Sequence, residues 1–256
     1  MPERKFRRFT LAEYSGYLKS YANKVKFSEV HVHHTWKPTI ANYRKQNDKE
    51  SLILGMWRYH TATRGWADIA QHISIDPDGF IWEGRPLLSP PVSATGHNDS
   101  DSDGIHPFMF EMIGDFDLGK ERLEGAQLET VLGVVALIQD VWKLSDQQIR
   151  FHREMQTGKS CPGTSIDKQW FLERVREIRQ DTTKVKQEDQ VAPTKEIVFP
   201  IIQETVNIHI NGNPGPMGYL INGVTYAPLR PIAEQLKASI EWDPNTRTAS
   251  ITREGV

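Results

Sequence analysis

The sequence predicts a mixed α/β fold, with a central mixed β-sheet flanked by helices and a small C-terminal α+β module. Stretches with apolar residues at helical spacing alternate with short strand-like stretches, which is the order expected of a layered α/β domain. A Pro77-Asp78-Gly79 turn between two short apolar runs predicts one antiparallel hairpin within that sheet. After residue 180 a polar, charged stretch without periodicity predicts a linker, and short strands dominate beyond it.

Length and composition indicate a soluble globular protein. The 256 residues suffice for one full-sized domain with a substantial core and a small second one. A formal net charge of -2 favours neither nucleic acid nor a strongly charged partner. No run approaches the ~18 apolar residues of a membrane span, and no apolar signal-peptide core follows Met1. We therefore expect a protein made in the cytoplasm without a classical secretion signal.

Capping and periodicity predict the helices of the large part. Thr10 and Glu13 have capping-box spacing at the start of the first helix, and apolar residues between Leu128 and Trp142 form one stripe on the clearest helix. Polar residues over 89–104 form a long loop, and loops of this length are usually functional or mobile. The predicted order is a helix over 10–23, a strand over 27–33, a helix over 47–63, a hairpin of 71–75 and 80–82, a strand over 108–113, a helix over 125–143, a strand over 149–152 and a helix over 165–179.

The small part, residues 201–256, follows the predicted linker over 181–200. Residues 211–218 are rich in Gly and Pro and separate its first two strand predictions. The predicted elements are a strand over 201–210, two short strands over 219–226 around Asn222-Gly223, a helix over 228–238, and a hairpin of 239–242 and 246–252 across Asp243-Pro244-Asn245.

Chemistry-bearing residues concentrate in residues 151–163. This segment holds His152, Lys159 and the single cysteine, Cys161. Without a partner for an intramolecular disulfide, Cys161 is an inert buried thiol, a nucleophile or a metal ligand. Gly158 and the Pro162-Gly163 pair predict an irregular loop, which can bring a thiolate back beside an imidazole. Two such soft ligands favour a metal such as zinc.

Three more histidines lie at the end of the strand predicted over 27–33. Strand alternation puts His31 and His33 on one face, and His34 follows at the end of the strand. A set of two histidines and one cysteine leaves the fourth position of tetrahedral zinc open, which is the layout of a catalytic site.

Five blocks in a fixed order carry a family resemblance. They resemble the zinc-dependent N-acetylmuramoyl-L-alanine amidases, which include amidase-type phage lysozymes and the animal peptidoglycan recognition proteins. The resemblance covers about residues 25 to 178. The blocks are Val32-His33-His34-Thr35, residues 65–72, residues 78–85, Ile113-Gly114-Asp115-Phe116, and Phe151-His152-Arg153 with Lys159-Ser160-Cys161-Pro162-Gly163.

The resemblance implies a function and a set of roles. Zinc held by His33, His152 and Cys161 is expected to activate water against the amide bond between N-acetylmuramic acid and L-alanine in peptidoglycan. Lys159 matches a lysine of the phage enzymes and is expected to stabilise the tetrahedral oxyanion. A phage endolysin of this kind reaches the wall after holin-mediated release, whereas a host enzyme of this kind is an autolysin.

Three further residues are candidates for substrate binding. His34 adjoins a ligand and is expected to support the zinc site or the substrate. His97 lies in the long loop where the family often has a substrate-facing histidine, and it is either that contact or a plain surface residue. Gln71 stands where many members of the family have a tyrosine that orients the attacking water or the scissile carbonyl.

Glu111 interrupts the apolar strand predicted over 108–113. A buried acid without a partner is costly, so two interpretations are open. One is an ion pair with Arg150 or Arg153. The other comes from the resemblance, because bacterial members that lack the tyrosine tend to carry a glutamate at this position. Glu111 is then the candidate general base, with a pKa that burial raises towards neutrality.

The C-terminal part carries a second resemblance. Residues 221–230 and Glu241-Trp242-Asp243 resemble stalk-type modules related to the N-terminal domain of copper amine oxidases. His209 is the only histidine of this part, so copper binding is not implied. The module is expected to bind the cell wall, or to act as a spacer or a dimerising unit.

Two alternatives to a lytic amidase stay open. The first is a peptidoglycan-binding protein without hydrolysis, but recognition members that lose catalysis usually lose the cysteine that this chain keeps. The second is a cytosolic amidase that trims recycled muropeptides, and an appended wall-type module argues against it because soluble fragments need no anchor.

Overall fold

The computed structural model describes residues 4–101, 103–191, 204–221, 224–243 and 248–253. The chain divides into two compact units, Met1–Gln187 and Glu188–Val256. The first unit contains β1 (Arg8–Phe9), α1 (Leu11–Lys19), β2 (Lys26–His34), α2 (Ile40–Lys45), α3 (Lys49–Arg58), β3 (Ile73–Ile75), β4 (Ile81–Glu83), β5 (Ile105–Met112), α4 (Gly125–Trp142), β6 (Ile149–Phe151), α5 (His152–Met155) and α6 (Lys168–Val191).

A six-stranded mixed sheet organises the first unit, in the order β1-β4-β3-β5-β2-β6. β5 pairs in parallel with β2 and β3, and β6 pairs in parallel with β2. β3, β4 and β1 pair antiparallel, which includes the hairpin predicted from the Pro-Asp-Gly turn. The predicted fold class, a mixed sheet flanked by helices, is therefore confirmed. β1 was not predicted, because two residues carry no periodic signal.

Strand alternation separates the two faces of the sheet. Val30 and Val32 of β2 and Phe108 and Phe110 of β5 belong to a large apolar cluster that also contains buried residues of α1, α4 and α6. A smaller cluster packs α3 against the sheet edge through Phe6, Tyr43, Ile53, Met56, Ile69, Trp82 and Ile113. The face of β2 and β5 opposite the large cluster carries His31, His33, Met109 and Glu111, since residues two apart share a face.

Several element boundaries differ from the sequence prediction. The helix expected over 47–63 is an α-helix, α3, that continues as one π-helical turn over Tyr59–Thr63. The last helix, α6, extends to Val191, so the first part of the predicted linker is helical. The rest of that linker, residues 192–200, lies outside the described residues.

The second unit is small and rich in strands. Asn211 and Gly212 adopt φ angles of 52° and 78°, the paired positive values of a tight hairpin turn, and they join β7 to β8. β8 therefore contains most of the Gly/Pro-rich stretch 211–218. The predicted turns at Asn222-Gly223 and Pro244-Asn245 lie outside the described residues. The elements are β7 (Glu204–Ile210), β8 (Asn213–Ile221), β9 (Val224–Tyr226), α7 (Leu229–Gln235), β10 (Ala238–Asp243) and β11 (Thr248–Arg253).

No described helix combines the length and the apolar character that a membrane span requires.

The buried carboxyl group of Asp76 ties the β3–β4 hairpin to its surroundings. Its side chain is 0% exposed and accepts hydrogen bonds from Tyr43 Oη and Trp82 Nε1, both at 2.8 Å. It also accepts from the backbone N–H groups of Asp78 (3.0 Å) and Phe80 (2.9 Å) inside the turn. One carboxylate therefore satisfies the buried indole N–H of Trp82 and also holds the turn through two backbone N–H groups.

Replacing Asp76 by Ala is expected to lower the free energy of unfolding by about 3–5 kcal/mol, because it leaves buried donors unpaired. Chemical denaturation measures this loss. Asp101→Ala, in an exposed loop, is the matched control and is expected to change stability by less than about 0.5 kcal/mol. Equal effects of the two substitutions would contradict the assigned role of Asp76.

Candidate metal centre

Three parallel strands bring chemistry-bearing residues to one edge of the sheet. His33 and Glu111 are register partners near the ends of β2 and β5. Val32 of β2 is the register partner of Phe151, so His152, the next residue, lies level with His33. Because the carboxyl ends of parallel strands meet at the same edge, residues 41 to 119 positions apart converge there.

Cys161 returns to this edge through the loop that the sequence predicted. Arg153 holds the loop, since its backbone N–H donates to the Cys161 carbonyl oxygen at 2.9 Å and its guanidinium donates to the carbonyl oxygens of Gly163 (2.7 Å) and Ile166 (2.6 Å). The Cys161 Sγ accepts a hydrogen bond from the backbone N–H of His34 at 3.3 Å. The thiol is thereby placed beside the end of β2.

His33, His152 and Cys161 form a group that fits zinc. One ligand atom from each side chain lies within 4.8 Å of the others. Tetrahedral zinc, with bonds of about 2.0–2.1 Å to nitrogen and 2.3 Å to sulfur, needs donor separations of about 3.3–3.8 Å, which small side-chain rotations can reach. Two imidazoles and a thiolate are also the donor types that zinc prefers. Within the described part of the chain, no other group of three His, Cys, Asp or Glu residues meets this geometry.

Burial sets the protonation of these ligands. Burial, and then the neighbouring His152, holds the pKa of His33 well below its usual range. Burial also lowers the pKa of His152, and it raises the pKa of the Cys161 thiol. Both imidazoles are therefore in the neutral form that binds metal, whereas the buried thiolate needs a nearby cation for its stabilisation.

Glu111 lies beside these three residues, as the register partner of His33. Among the described residues no hydrogen-bond donor or cation pairs with its carboxyl group. Arg150 forms an ion pair with Glu29 at 3.2 Å, and the guanidinium of Arg153 donates to the carbonyl oxygens of Gly163 and Ile166. The ion-pair interpretation of Glu111 is therefore wrong. Burial raises the pKa of Glu111 to about 8.

Two adjoining cavities open at this edge. The first has a volume of about 370 Å³, and the second, of about 540 Å³, shares Trp36, His60 and Glu111 with it. Trp36 and Tyr59 are 56% and 53% exposed, so the second cavity offers aromatic surface to solvent. The first cavity is lined by His33, His34, Trp36, His60, Trp66, Ala70, Val92, Ser93, Met109, Glu111, His152, Gly158, Lys159, Ser160 and Cys161.

The remaining candidate residues divide between the cavity and the interior. Lys159 is exposed at the cavity wall, and His34 lines it while its Nδ1 accepts a hydrogen bond from the Phe116 backbone N–H at 3.1 Å. Gln71 is 0% exposed, lines neither cavity and donates to Ser74 Oγ at 2.8 Å. Its role in substrate binding stays a prediction, and in this structure its side chain packs inside the protein. His97 is half-buried outside the cavity walls, and its role in substrate binding stays a prediction.

Several residues of the cavity walls were not singled out from the sequence. His60 lies in the helix predicted over 47–63, where no motif marked it, but it lines both cavities and packs against Trp66 with ring centroids 4.9 Å apart. Trp66 stood in a block of the family resemblance and could have been found there. Ser93 sits in a polar loop with no periodicity, so no local signal pointed to it.

The comparison with protein families decides the classification. The model of the N-acetylmuramoyl-L-alanine amidase family matches residues 23–164. The chain belongs to this family. This match confirms the resemblance of the five blocks, and the model of the copper amine oxidase N-terminal domain matches residues 209–256 of the C-terminal unit. No curated protein matches the chain.

Solved structures that are similar to this chain include a Drosophila protein and two endolysins. Drosophila PGRP-LB is 22% identical, with 55% of this chain and 76% of that chain covered and a TM-score of 0.44. The endolysin amidase LysCS from Clostridium intestinale is 19% identical, with 61% and 86% covered and a TM-score of 0.44. The Ph2119 endolysin from a Thermus scotoductus bacteriophage is 16% identical, with 59% and 86% covered and a TM-score of 0.45.

We expect the purified protein to bind about one zinc ion per chain, and Cys161→Ala to retain less than about a tenth of that content, because one of three ligands is lost. Elemental analysis after dialysis measures this. Glu111→Gln is the matched control from the same cavity and is expected to keep the metal. Full zinc content in Cys161→Ala would contradict the assignment of Cys161 as a ligand.

In metal-free buffer, Glu111 is expected to make stability depend on pH. Its pKa of about 8 in the folded protein lies above the unfolded value of about 4.3, so its contribution is fully present below pH ~4.3 and is lost as pH rises through ~8. Glu111→Gln stays neutral, so its melting temperature relative to wild type should rise steadily from pH 5 to 8.5. Thermal unfolding in chelator measures this, and a constant difference across that range would refute the shifted pKa.

Proposed function

We propose that this protein hydrolyses the amide bond between N-acetylmuramic acid and L-alanine in peptidoglycan. The observation that carries the proposal is the grouping of His33, His152 and Cys161 in an open cavity beside the carboxyl group of Glu111, which has no partner among the described residues. Membership of the amidase family supports the reaction and the substrate class. Zinc, when bound by these ligands, supplies a Lewis acid that polarises the scissile carbonyl and acidifies water.

Glu111 acts as the general base in this proposal. It lines both cavities, neighbours His33 across the strand pair and has no competing partner among the described residues. A nearby divalent cation lowers the pKa of a carboxyl group from the value of about 8 that burial alone produces, towards the neutral range in which a base works well. Glu111 then takes a proton from the attacking water and delivers it to the leaving amine.

Lys159 and the aromatic residues complete the proposed site. Lys159 lines the first cavity, where its charge stabilises the oxyanion that develops on the scissile carbonyl. Trp36, Tyr59 and Trp66 present aromatic faces along the two cavities, and such faces pack against sugar rings and apolar peptide groups. The two cavities meet at Glu111, which leaves room for substrate on both sides of the amide bond.

A peptidoglycan-binding protein without hydrolysis is the second candidate function. The same cavity and aromatic faces serve binding as well as catalysis. The complete ligand set, with Cys161 retained, favours the hydrolase.

We further propose a division of labour between the two units. The first is catalytic. The second, which matches the model of the copper amine oxidase N-terminal domain, binds the cell wall, acts as a spacer or pairs the enzyme with a second copy. An enzyme so equipped acts on the cell wall as an endolysin after holin-mediated release or as an autolysin. Trimming of soluble recycled muropeptides needs no such module.

Glu111→Gln is expected to lower kcat for purified peptidoglycan by about 10²–10⁴-fold, because it removes the base without removing the metal ligands. The assay counts new amino termini released from sacculi. Glu173→Gln, on the exposed surface of α6, is the control and should match wild type. If the wild-type protein holds zinc and binds walls but releases no amino termini, the amidase proposal is refuted, and the protein is a peptidoglycan-binding protein without hydrolysis.

A further inference from the structure

A chain of hydrogen bonds runs along β2 away from the candidate metal centre. His33 Nε2 lies 2.9 Å from Ser93 Oγ, and the same oxygen lies 2.8 Å from His31 Nδ1. His31 Nε2 lies 2.8 Å from Glu29 Oε2, and Glu29 Oε1 accepts from the Arg150 guanidinium at 3.2 Å. His31 is 0% exposed, and the amidase chemistry proposed above does not use it.

The sheet explains why these residues meet. Glu29, His31 and His33 are two residues apart along β2, so they share the face opposite the large apolar cluster. Arg150 is the register partner of His31 on the neighbouring strand β6. Ser93 reaches the same face from the long polar loop, and two hydrogen bonds from the backbone N–H groups of Ser93 (2.7 Å) and Ala94 (3.2 Å) to Asn98 Oδ1 hold it there.

When His33 binds metal, the protons in this series of hydrogen bonds can be arranged with every donor facing an acceptor, running from His33 to Glu29. The Nε2 of His33 is occupied by Ser93, so Nδ1 is the nitrogen left for the metal, and Nε2 carries the ring proton and donates to Ser93 Oγ. The Ser93 hydroxyl proton is then free to be donated to His31 Nδ1. His31 Nε2–H donates in turn to the Glu29 carboxylate, whose other oxygen faces Arg150, so every member of the chain is satisfied.

The second histidine of the group follows the same rule. His152 Nε2 lies 3.1 Å from Gln156 Oε1, an oxygen that can only accept, so Nε2 carries the proton and Nδ1 is left for the metal. Both imidazoles are thus presented to the metal through the same ring atom, each held by a hydrogen bond on the opposite side of the ring.

We propose that Glu29, His31 and Ser93 are positioning residues that hold the His33 ring with its Nε2 proton on Ser93 and its Nδ1 open to the metal. The proposal rests on the metal centre of the proposed function and deepens it. It also assigns a function to the loop over residues 89–104, because Ser93 of this loop is hydrogen-bonded to the metal ligand His33. Partners of this kind typically contribute 10–100-fold to metal affinity.

The test measures zinc affinity by competition with a chromophoric chelator on the full-length chain. Ser93→Ala, which removes one oxygen at a half-buried position, is expected to weaken zinc binding by about 10–100-fold. Ser93→Thr restores the hydroxyl and should recover most of the affinity, which a loss caused only by disturbed packing would not do. Ser100→Ala, in the same loop, is the control and should bind as wild type does.

A second readout reports the ring atoms directly. Long-range proton–nitrogen NMR of histidine-labelled, zinc-loaded protein distinguishes a protonated Nε2 from a metal-bound one. Protonated Nε2 on His33 supports the proposal, whereas zinc on the Nε2 of His33 overturns it. An affinity of Ser93→Ala within twofold of wild type also overturns it.

The positioning role of Ser93 can be tested separately from the proposed amidase activity, because neither zinc affinity nor the NMR measurement depends on hydrolysis. A wild-type protein that binds zinc but cuts no peptidoglycan refutes the proposed function, and the affinity ratio still decides the role of Ser93. A wild-type protein that binds no zinc refutes both.

Discussion

The parallel pairing of β2 with β5 and β6 is the constraint on which the rest of the site depends. It aligns His33 with Glu111 and sets His152 at the same level, although these residues come from three separate parts of the chain. Side chains alternate along a strand, so a slip of one residue would turn His33 towards α4 and bring Val32 to the metal face. The large apolar cluster prevents that slip, because it would expose Val30 and Val32 and bury the histidines among aliphatic side chains.

Polar groups on the metal face are stabilised by different means. Glu29, His31 and Ser93 satisfy one another, with Arg150 at the outer end. Among the described residues, Cys161 Sγ contacts only the backbone of His34, its N–H at 3.3 Å and its carbonyl oxygen at 3.9 Å, and Glu111 has no partner. The two groups that gain most from a cation are thus the two left without strong partners. This division follows from the cost of burying a charge, which a bound metal offsets and a neutral hydrogen bond does not.

The walls of the cavities depend on packing outside the family-matched range as well as inside it. Phe6 and the β1 strand precede residue 23, yet Phe6 packs in the cluster that supports α3, and Arg7 pairs with Glu83 of β4 at 2.7 Å. The π-helical turn after α3 carries Tyr59 and His60 into the cavities. Residues near the N-terminus therefore stabilise α3 and the turn after it, which presents aromatic residues to the cavities. These residues are far from the metal ligands in the sequence.

Local signals in the sequence were enough for the mixed fold, the α4 helix, the Pro-Asp-Gly hairpin and the family, because periodicity, capping and short motifs depend on residues within a turn or two of one another. The grouping of His33, His152 and Cys161 also followed from motifs, through the resemblance. Tertiary structure alone decided that Glu111 lacks an arginine partner among the described residues, that Gln71 points inward and that Ser93 bridges two histidines. Such contacts join residues about 40 to 120 positions apart, and only the register of the sheet and the path of its loops determine which of many polar side chains meet.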